Sequence, residues 1–242
     1  GPVAERVSLP QYFAMARGTQ DAQAMEMTKW FDTNYHYIVP EFTNGQTFRL
    51  SSLKPVEAFL EARALGIHTR PVLLGPVSWL SLGKAKDAGL DPLAFLPAIL
   101  PIYAEILTRL AAAGADWVQI DEPVLVTDLT PAQARAFRSA YDALAAAGPK
   151  LMLASYFGAL DDNLDLALSL PVAGLHLDLV RAPEQVAGLL AKGTDKVLSL
   201  GLVDGRNVWR ADLARALELA QTAVQTFGAD RIQIAPSCSL LH

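Results

Sequence analysis

Apolar residues fall along this chain in short runs, each closed by a charge, a glycine or a proline. The runs at 71–74, 117–120, 151–156, 174–180, 197–202 and 231–235 are too short for helices and rich in Val, Ile and Leu, the mark of strands buried in an α/β core. The stretches between them carry apolar residues at helical spacing. Thr130-Pro131 opens one such stretch, Ala134, Phe137, Tyr141 and Leu144 line one face, and Gly148 stops it. Further helices are predicted from Ser51 or Ser52 to Gly66 and over 161–170, 183–192 and 210–227. Another runs from Asp91-Pro92 to Gly114, interrupted near Pro97 or Pro101. Toward the N-terminus, 12–17 and 34–39 read as two more strands. Residues 19–28 read as a loop or short helix, and 42–50 as a loop with a tight turn at Asn44-Gly45.

Eight strands that mostly alternate with helices imply a parallel sheet. Eight such units closing on themselves make a (β/α)8 barrel, so the expected fold class is α/β of the TIM-barrel type, with 1–242 as one domain. A doubly wound open sheet is the rival. Neither a Gly-x-Gly-x-x-Gly fingerprint after the first strand nor a Gly-Lys-Ser/Thr phosphate loop is present to favour it.

A composition of 52% hydrophobic and 19% charged residues suits a sizeable core. The net charge of -5 offers no footprint for nucleic acid. No apolar run looks long enough to span a bilayer, and no basic-then-apolar series opens the chain, so the expected setting is the cytoplasm. Gly1-Pro2 reads as a protease scar left by expression. The single Cys238 has no Cys/His cluster around it in sequence, so no metal site is expected.

Chemistry is concentrated where Trp117-Val118-Gln119-Ile120-Asp121-Glu122-Pro123 ends, because ligands in parallel α/β folds meet the C-terminal ends of strands. Asp121 and Glu122 could bind an amine or act as acid and base. Alternatively, one carboxylate caps a backbone turn and the other pairs with Arg17 or Arg206 across the barrel mouth. His36 and His176 lie in strands, where a histidine is more often a hydrogen-bonded interior residue than a ligand contact. Lys29 precedes two bulky aromatics and needs no role beyond a surface lysine. Turn chemistry accounts for Asp204-Gly205-Arg206-Asn207.

Several longer motifs go further: Met15-Ala16-Arg17-Gly18, the run from Glu26-Met27-Thr28-Lys29-Trp30-Phe31-Asp32 to Thr33-Asn34-Tyr35-His36-Tyr37, and Pro71-Val72-Leu73-Leu74-Gly75-Pro76. With the Asp121 strand, 201–209 and Ser237-Cys238-Ser239-Leu240-Leu241-His242, they run in order along essentially the whole chain. In these the chain resembles the N-terminal half of cobalamin-independent methionine synthase. The resemblance implies two barrels related by duplication, of which this chain is similar to the non-catalytic first. The zinc ligands, the homocysteine site and the catalytic histidine would then belong to the second barrel. No cofactor is expected here, zinc is expected in the full-length enzyme alone, and cobalamin in neither. Asp121 would be the remnant of an aspartate that holds the homocysteine amine in the sister barrel. The lysine matching Lys29 contacts methyltetrahydropteroyl-polyglutamate through its anionic tail, a task suited to a flexible ammonium. Asp121, Glu122, His36 and Arg17 would line a vestigial pocket.

The family's first barrel normally opens with a Gly-Phe-Pro-Arg strand and an Arg-Glu-Leu-Lys stretch, and neither is present. The chain also stops at His242, before the connection to the second barrel. The expectation is a fragment, engineered or proteolytic, or a strand count that includes one element outside the barrel. Exposed barrel edges would then be open to self-association. An independent enzyme built on Asp121, Glu122 and His36, and an assembly module, stand as alternatives.

Overall fold

The computed structural model describes residues 7–240, so the Gly1-Pro2 opening and the last two residues of the C-terminal motif lie outside the described residues. Its centre is a six-stranded parallel sheet. The strands are β4 (Val72–Leu74), β6 (Trp117–Asp121), β7 (Lys150–Ala154), β8 (Gly174–Asp178), β9 (Val197–Val203) and β10 (Ile232–Pro236), hydrogen-bonded in the order β10-β9-β8-β7-β6-β4. Between them run α3 (Pro76–Ser81), α4 (Leu96–Ala112), α5 (Pro131–Leu144), α6 (Leu164–Ser169), α7 (Gln185–Lys192) and α8 (Leu213–Phe227). Ahead of the sheet come α1 (Leu9–Arg17), an antiparallel hairpin of β1 (Met27–Lys29) and β2 (His36–Ile38), and α2 (Lys54–Ala64). The short β3 (Glu41–Phe42) pairs in parallel with β5 (Lys84–Ala85).

Period-two alternation sorts the strand residues onto two faces. Val118, Ile120, Leu151, Leu153, Leu175, Leu177, Leu198 and Leu200 face the helices and join one continuous core with Leu107, Leu110, Phe137 and Tyr141. The opposite face carries Trp117, Gln119, Asp121, Met152, His176 and Ser199, brought side by side by the register of neighbouring strands. That inner face is strongly curved. Arg70, just before β4, donates to Gln233 of β10 at 2.7 Å, so the two edge strands of the sheet approach within one side-chain pair. The architecture is α/β with a parallel, barrel-type sheet, and among the described residues the barrel is not closed by a continuous ladder.

Two of the eight expected strands fall outside this sheet. Residues 12–17 belong to α1, whose start is fixed by a capping box: the Ser8 hydroxyl accepts from Gln11 N–H while the Gln11 side chain accepts from Ser8 N–H. The 34–39 run contributes β2, paired antiparallel with β1, whose Met27 and Thr28 close the stretch read as loop or short helix. Its Tyr and Ile made it look like a barrel strand, but a two-stranded ribbon satisfies the same preference. The helix α3 was missed because Gly75-Pro76 reads as a stop, whereas proline in the first turn is a good helix opener. The helix after Asp91 begins as a 3-10 turn over Pro92–Phe95, continues as α4, and contains Pro101.

The expectation that no segment could span a bilayer also needs correction. The helical stretch Pro92–Ala112 is long and apolar enough by length and composition. In the fold its Leu96, Ile99, Leu100, Leu107 and Leu110 are buried in the core cluster, forming the face that packs into the molecule's core.

Candidate functional site

Asp121 and Glu122 are neighbours in sequence and strangers in space. Successive residues at a strand end point to opposite sides, so one carboxylate enters the inner face and the other turns toward the helices. Glu122 is fully buried, and its carboxylate accepts from Ser78 N–H at 2.7 Å, Val77 N–H at 3.3 Å and the Tyr141 hydroxyl at 3.1 Å. The Ser78 hydroxyl in turn accepts from Val124 N–H at 3.2 Å. One side chain thus joins the start of α3, the last turn of α5 and the turn after β6. Burial pushes its pKa up to about 7 against the opposing pull of these hydrogen bonds.

Asp121 lies on the inner face, with surface still reaching solvent but enough neighbours around it that desolvation dominates. Its pKa is raised to about 6, with hydrogen bonds from Gln119 and Tyr156 opposing the shift. The Gln119 amide donates to it at 2.8 Å. Tyr156, which follows β7, is hydrogen-bonded both to Asp121 and to the indole of Trp30. The two acids therefore share no ligand-facing pocket, and the pairing with Arg17 or Arg206 does not form. Arg17 lies over the ring of Phe13 one turn back in its own helix, at 5.1 Å, and Arg206 binds Asp32. The backbone-capping alternative holds for Glu122.

His36 is exposed in β2 and stands opposite Lys29 of β1 in the antiparallel register, on the hairpin rather than on the inner face. Lys29 is likewise exposed. His176 is the interior histidine. Its Nε2 donates to the Ser237 carbonyl at 3.1 Å, leaving Nδ1 to accept from the Ser199 hydroxyl at 2.9 Å, and burial lowers its pKa. Gly201 makes room for this ring, since a Cβ there would lie 2.7 Å from the Leu177 carbonyl oxygen and 3.1 Å from His176 Cε1.

The contacts that sequence reasoning missed come from the turn joining β1 to β2. Asp32 Oδ2 meets Arg181 at 2.5 Å and Oδ1 meets Arg206 at 2.8 Å, while its carbonyl accepts from Arg206 at 3.1 Å. Phe31 packs on Phe157 with ring centroids 5.7 Å apart, and the Arg206 guanidinium covers the Phe157 ring at 5.2 Å. Arg181, Arg206 and Phe157 follow β8, β9 and β7, so the turn lies on the C-terminal mouth of the sheet. Within the turn, the Thr33 hydroxyl donates to the Trp30 carbonyl at 2.7 Å and accepts from Tyr35 N–H at 3.1 Å. Sequence showed Asp32 as part of a motif and Arg206 as part of a turn. Nothing in the spacing of residues so far apart announced that they meet.

Among the described residues no group of three or more His, Cys, Asp or Glu could hold a metal ion. Cys238 is buried, with its sulfur 3.9 Å from the Ser237 hydroxyl and 3.7 Å from the Ser239 carbonyl.

Comparison with known proteins agrees with this architecture and adds the family. Proteins named 5-methyltetrahydropteroyltriglutamate–homocysteine methyltransferase are similar to the chain. The one from Rhodopseudomonas palustris is 59% identical over 259 residues, covering 98% of this chain and 33% of its own length. The one from Chelativorans is 61% identical over 251 residues, again covering 98% of this chain and 32% of its own. The chain thus spans about a third of the length of the curated relatives it matches. Among solved structures, a B12-independent methionine synthase from Shewanella superposes with a TM-score of 0.67 at 14% identity, over 89% of this chain and 67% of that one. A methyltransferase from Methanosarcina mazei gives 0.63 at 16% identity, over 89% and 70%. At such identities these two speak for the fold. The family model described as "Cobalamin-independent synthase, N-terminal domain" matches residues 3–228, and the chain belongs to that family.

Proposed function

We propose that this chain is the N-terminal, non-catalytic barrel of a methyltransferase that moves a methyl group from 5-methyltetrahydropteroyl-polyglutamate to homocysteine, and that it helps bind the folate tail. The observation that carries the reading is identity near 60% to the methyltransferases along virtually the whole chain, over only about a third of their length. The three side chains of the alternative acid–base set do not converge on one pocket. Glu122 is held by backbone amides, Asp121 by Gln119 and Tyr156, and His36 stands out on the hairpin.

Lys29 is the residue we assign to the polyglutamate tail. It is exposed on a hairpin whose turn lies on the mouth of the sheet, free to follow a run of carboxylates in an otherwise acidic protein. Zinc would belong to the remainder of the full-length protein. What this chain does chemically is bind and orient.

Two measurements check the reading. Supplied with donor, homocysteine and zinc, the 242-residue chain should show no methionine formation, and measurable turnover would overturn it. In the full-length protein, Lys29→Ala should weaken binding of the triglutamate donor by about two- to fivefold, the size of an exposed charge contact, and leave the monoglutamate less affected. Equal effects on both donors would remove the tail contact.

A further inference from the structure

The turn between β1 and β2 is held to the sheet by contacts spanning 149 residues to Arg181 and 174 to Arg206. An exposed ion pair is usually worth little, and the Asp32 side chain is 57% exposed. Here, however, one carboxylate is shared by two guanidiniums, and Arg206 also takes the Asp32 carbonyl, which fixes backbone as well as charge. A second, apolar set of contacts meets at the same junction. Phe31 and Phe157 both adopt left-handed backbone, with φ of 53° and 73°; their rings meet at a tilt of 53°, and the Arg206 guanidinium lies over that of Phe157. Phenylalanine is rarely held in that region, and such strain persists only where surrounding contacts over-determine it. Trp30 completes the junction through Tyr156, whose hydroxyl continues to Asp121.

We propose that Asp32, clamped between Arg181 and Arg206, is a positioning residue that fixes the β1–β2 hairpin on the mouth of the sheet and thereby sets where Lys29 stands. The proposal rests on the folate-tail reading of Lys29. Two residues, Trp30 and Phe31, separate Lys29 from the clamp, and the hairpin ladder between Met27–Ile38 and Lys29–His36 transmits its placement. Without the clamp the hairpin loses its seat, and the hydrogen bonds of its turn open more often.

The test uses Asp32→Asn, which keeps the shape of the side chain and removes its charge, and Arg206→Lys, which keeps a charge and removes the fork. Both are compared with the parent in the full-length protein by amide hydrogen exchange and by donor selectivity. Exchange at Trp30 N–H, bonded to the Tyr35 carbonyl, and at Thr33 N–H, bonded to the Trp30 carbonyl, should rise about tenfold while β6 to β9 hold, a factor that corresponds to about 1.4 kcal/mol. The preference for triglutamate over monoglutamate donor should fall in the same direction as in Lys29→Ala. Unaltered exchange in the hairpin in both variants would overturn the clamp. Faster exchange with an intact preference, alongside a lost preference in Lys29→Ala, would overturn its positioning role. If Lys29→Ala itself keeps the preference, the folate reading fails, and the positioning claim fails with it, while exchange still decides whether the clamp seats the hairpin.

Discussion

Replacing Gly75 with alanine is expected to cost about 3–5 kcal/mol of stability, read as a lower urea midpoint at constant slope. The backbone at Gly75 is ordinary, with φ of -71°, so the loss is steric. A Cβ there would lie 2.0 Å from Glu122 Cδ, 2.2 Å from its Oε1 and 2.5 Å from its Cγ. That side chain has nowhere to go, because moving it strands Ser78 N–H, Val77 N–H and the Tyr141 hydroxyl in the core. Gly66→Ala is the control. Its φ of +77° makes alanine strained, but no neighbour lies within 4 Å, so its cost should stay near 1–2 kcal/mol. Equal losses at the two positions would mean that Glu122 gives way easily.

Glu122→Ala should cost a similar 3–5 kcal/mol, since it leaves buried donors unpaired and opens a cavity between α3 and α5. The same residue shapes the pH dependence. Its folded pKa, about 7, lies above the ordinary value of 4.5, so the folded protein keeps a proton that the unfolded chain releases. The unfolded state then binds fewer protons across that window, and stability falls as pH rises from about 4.5 to 7. Asp121, raised from 3.8 to about 6, acts in the same direction over a lower window. Urea titrations between pH 4.5 and 8 should show this decline, with a flatter profile in Glu122→Gln, which carries no titrating proton. A variant profile parallel to the parent's would show that Glu122 does not titrate in that range.

How much of the site was legible follows from how far its contacts reach. Asp121 and Glu122 were recognised as the residues ending a central strand, and that placement is correct. Their divergence is a consequence of strand geometry that becomes decisive only when the inner and helix-facing sides are filled. Arg17 was expected near the acids because 12–17 was read as a strand; once Ser8 and Gln11 cap a helix there, Arg17 is carried onto Phe13. Lys29 came from the motif around it, and its exposure is compatible with that assignment. Asp32, Arg181 and Arg206 were all visible as residues and invisible as a cluster.

The sequence by itself determined the alternation of strands and helices from 71 onward, the six parallel strands, the helix-facing core and the family, because each of these is written in local periodicity or contiguous motif. The helix over 12–17 is set locally by the Ser8–Gln11 capping box, whereas tertiary structure alone decided that the second expected strand is one arm of a hairpin ribbon, that Glu122 locks helices together, and that Asp32 seats the hairpin on the strand ends. These outcomes depend on which distant groups can satisfy one buried carboxylate or share one exposed one. That is a property of the packed chain, since no local pattern encodes partners that lie 19 to 45 residues away for Glu122 and 149 to 174 for Asp32.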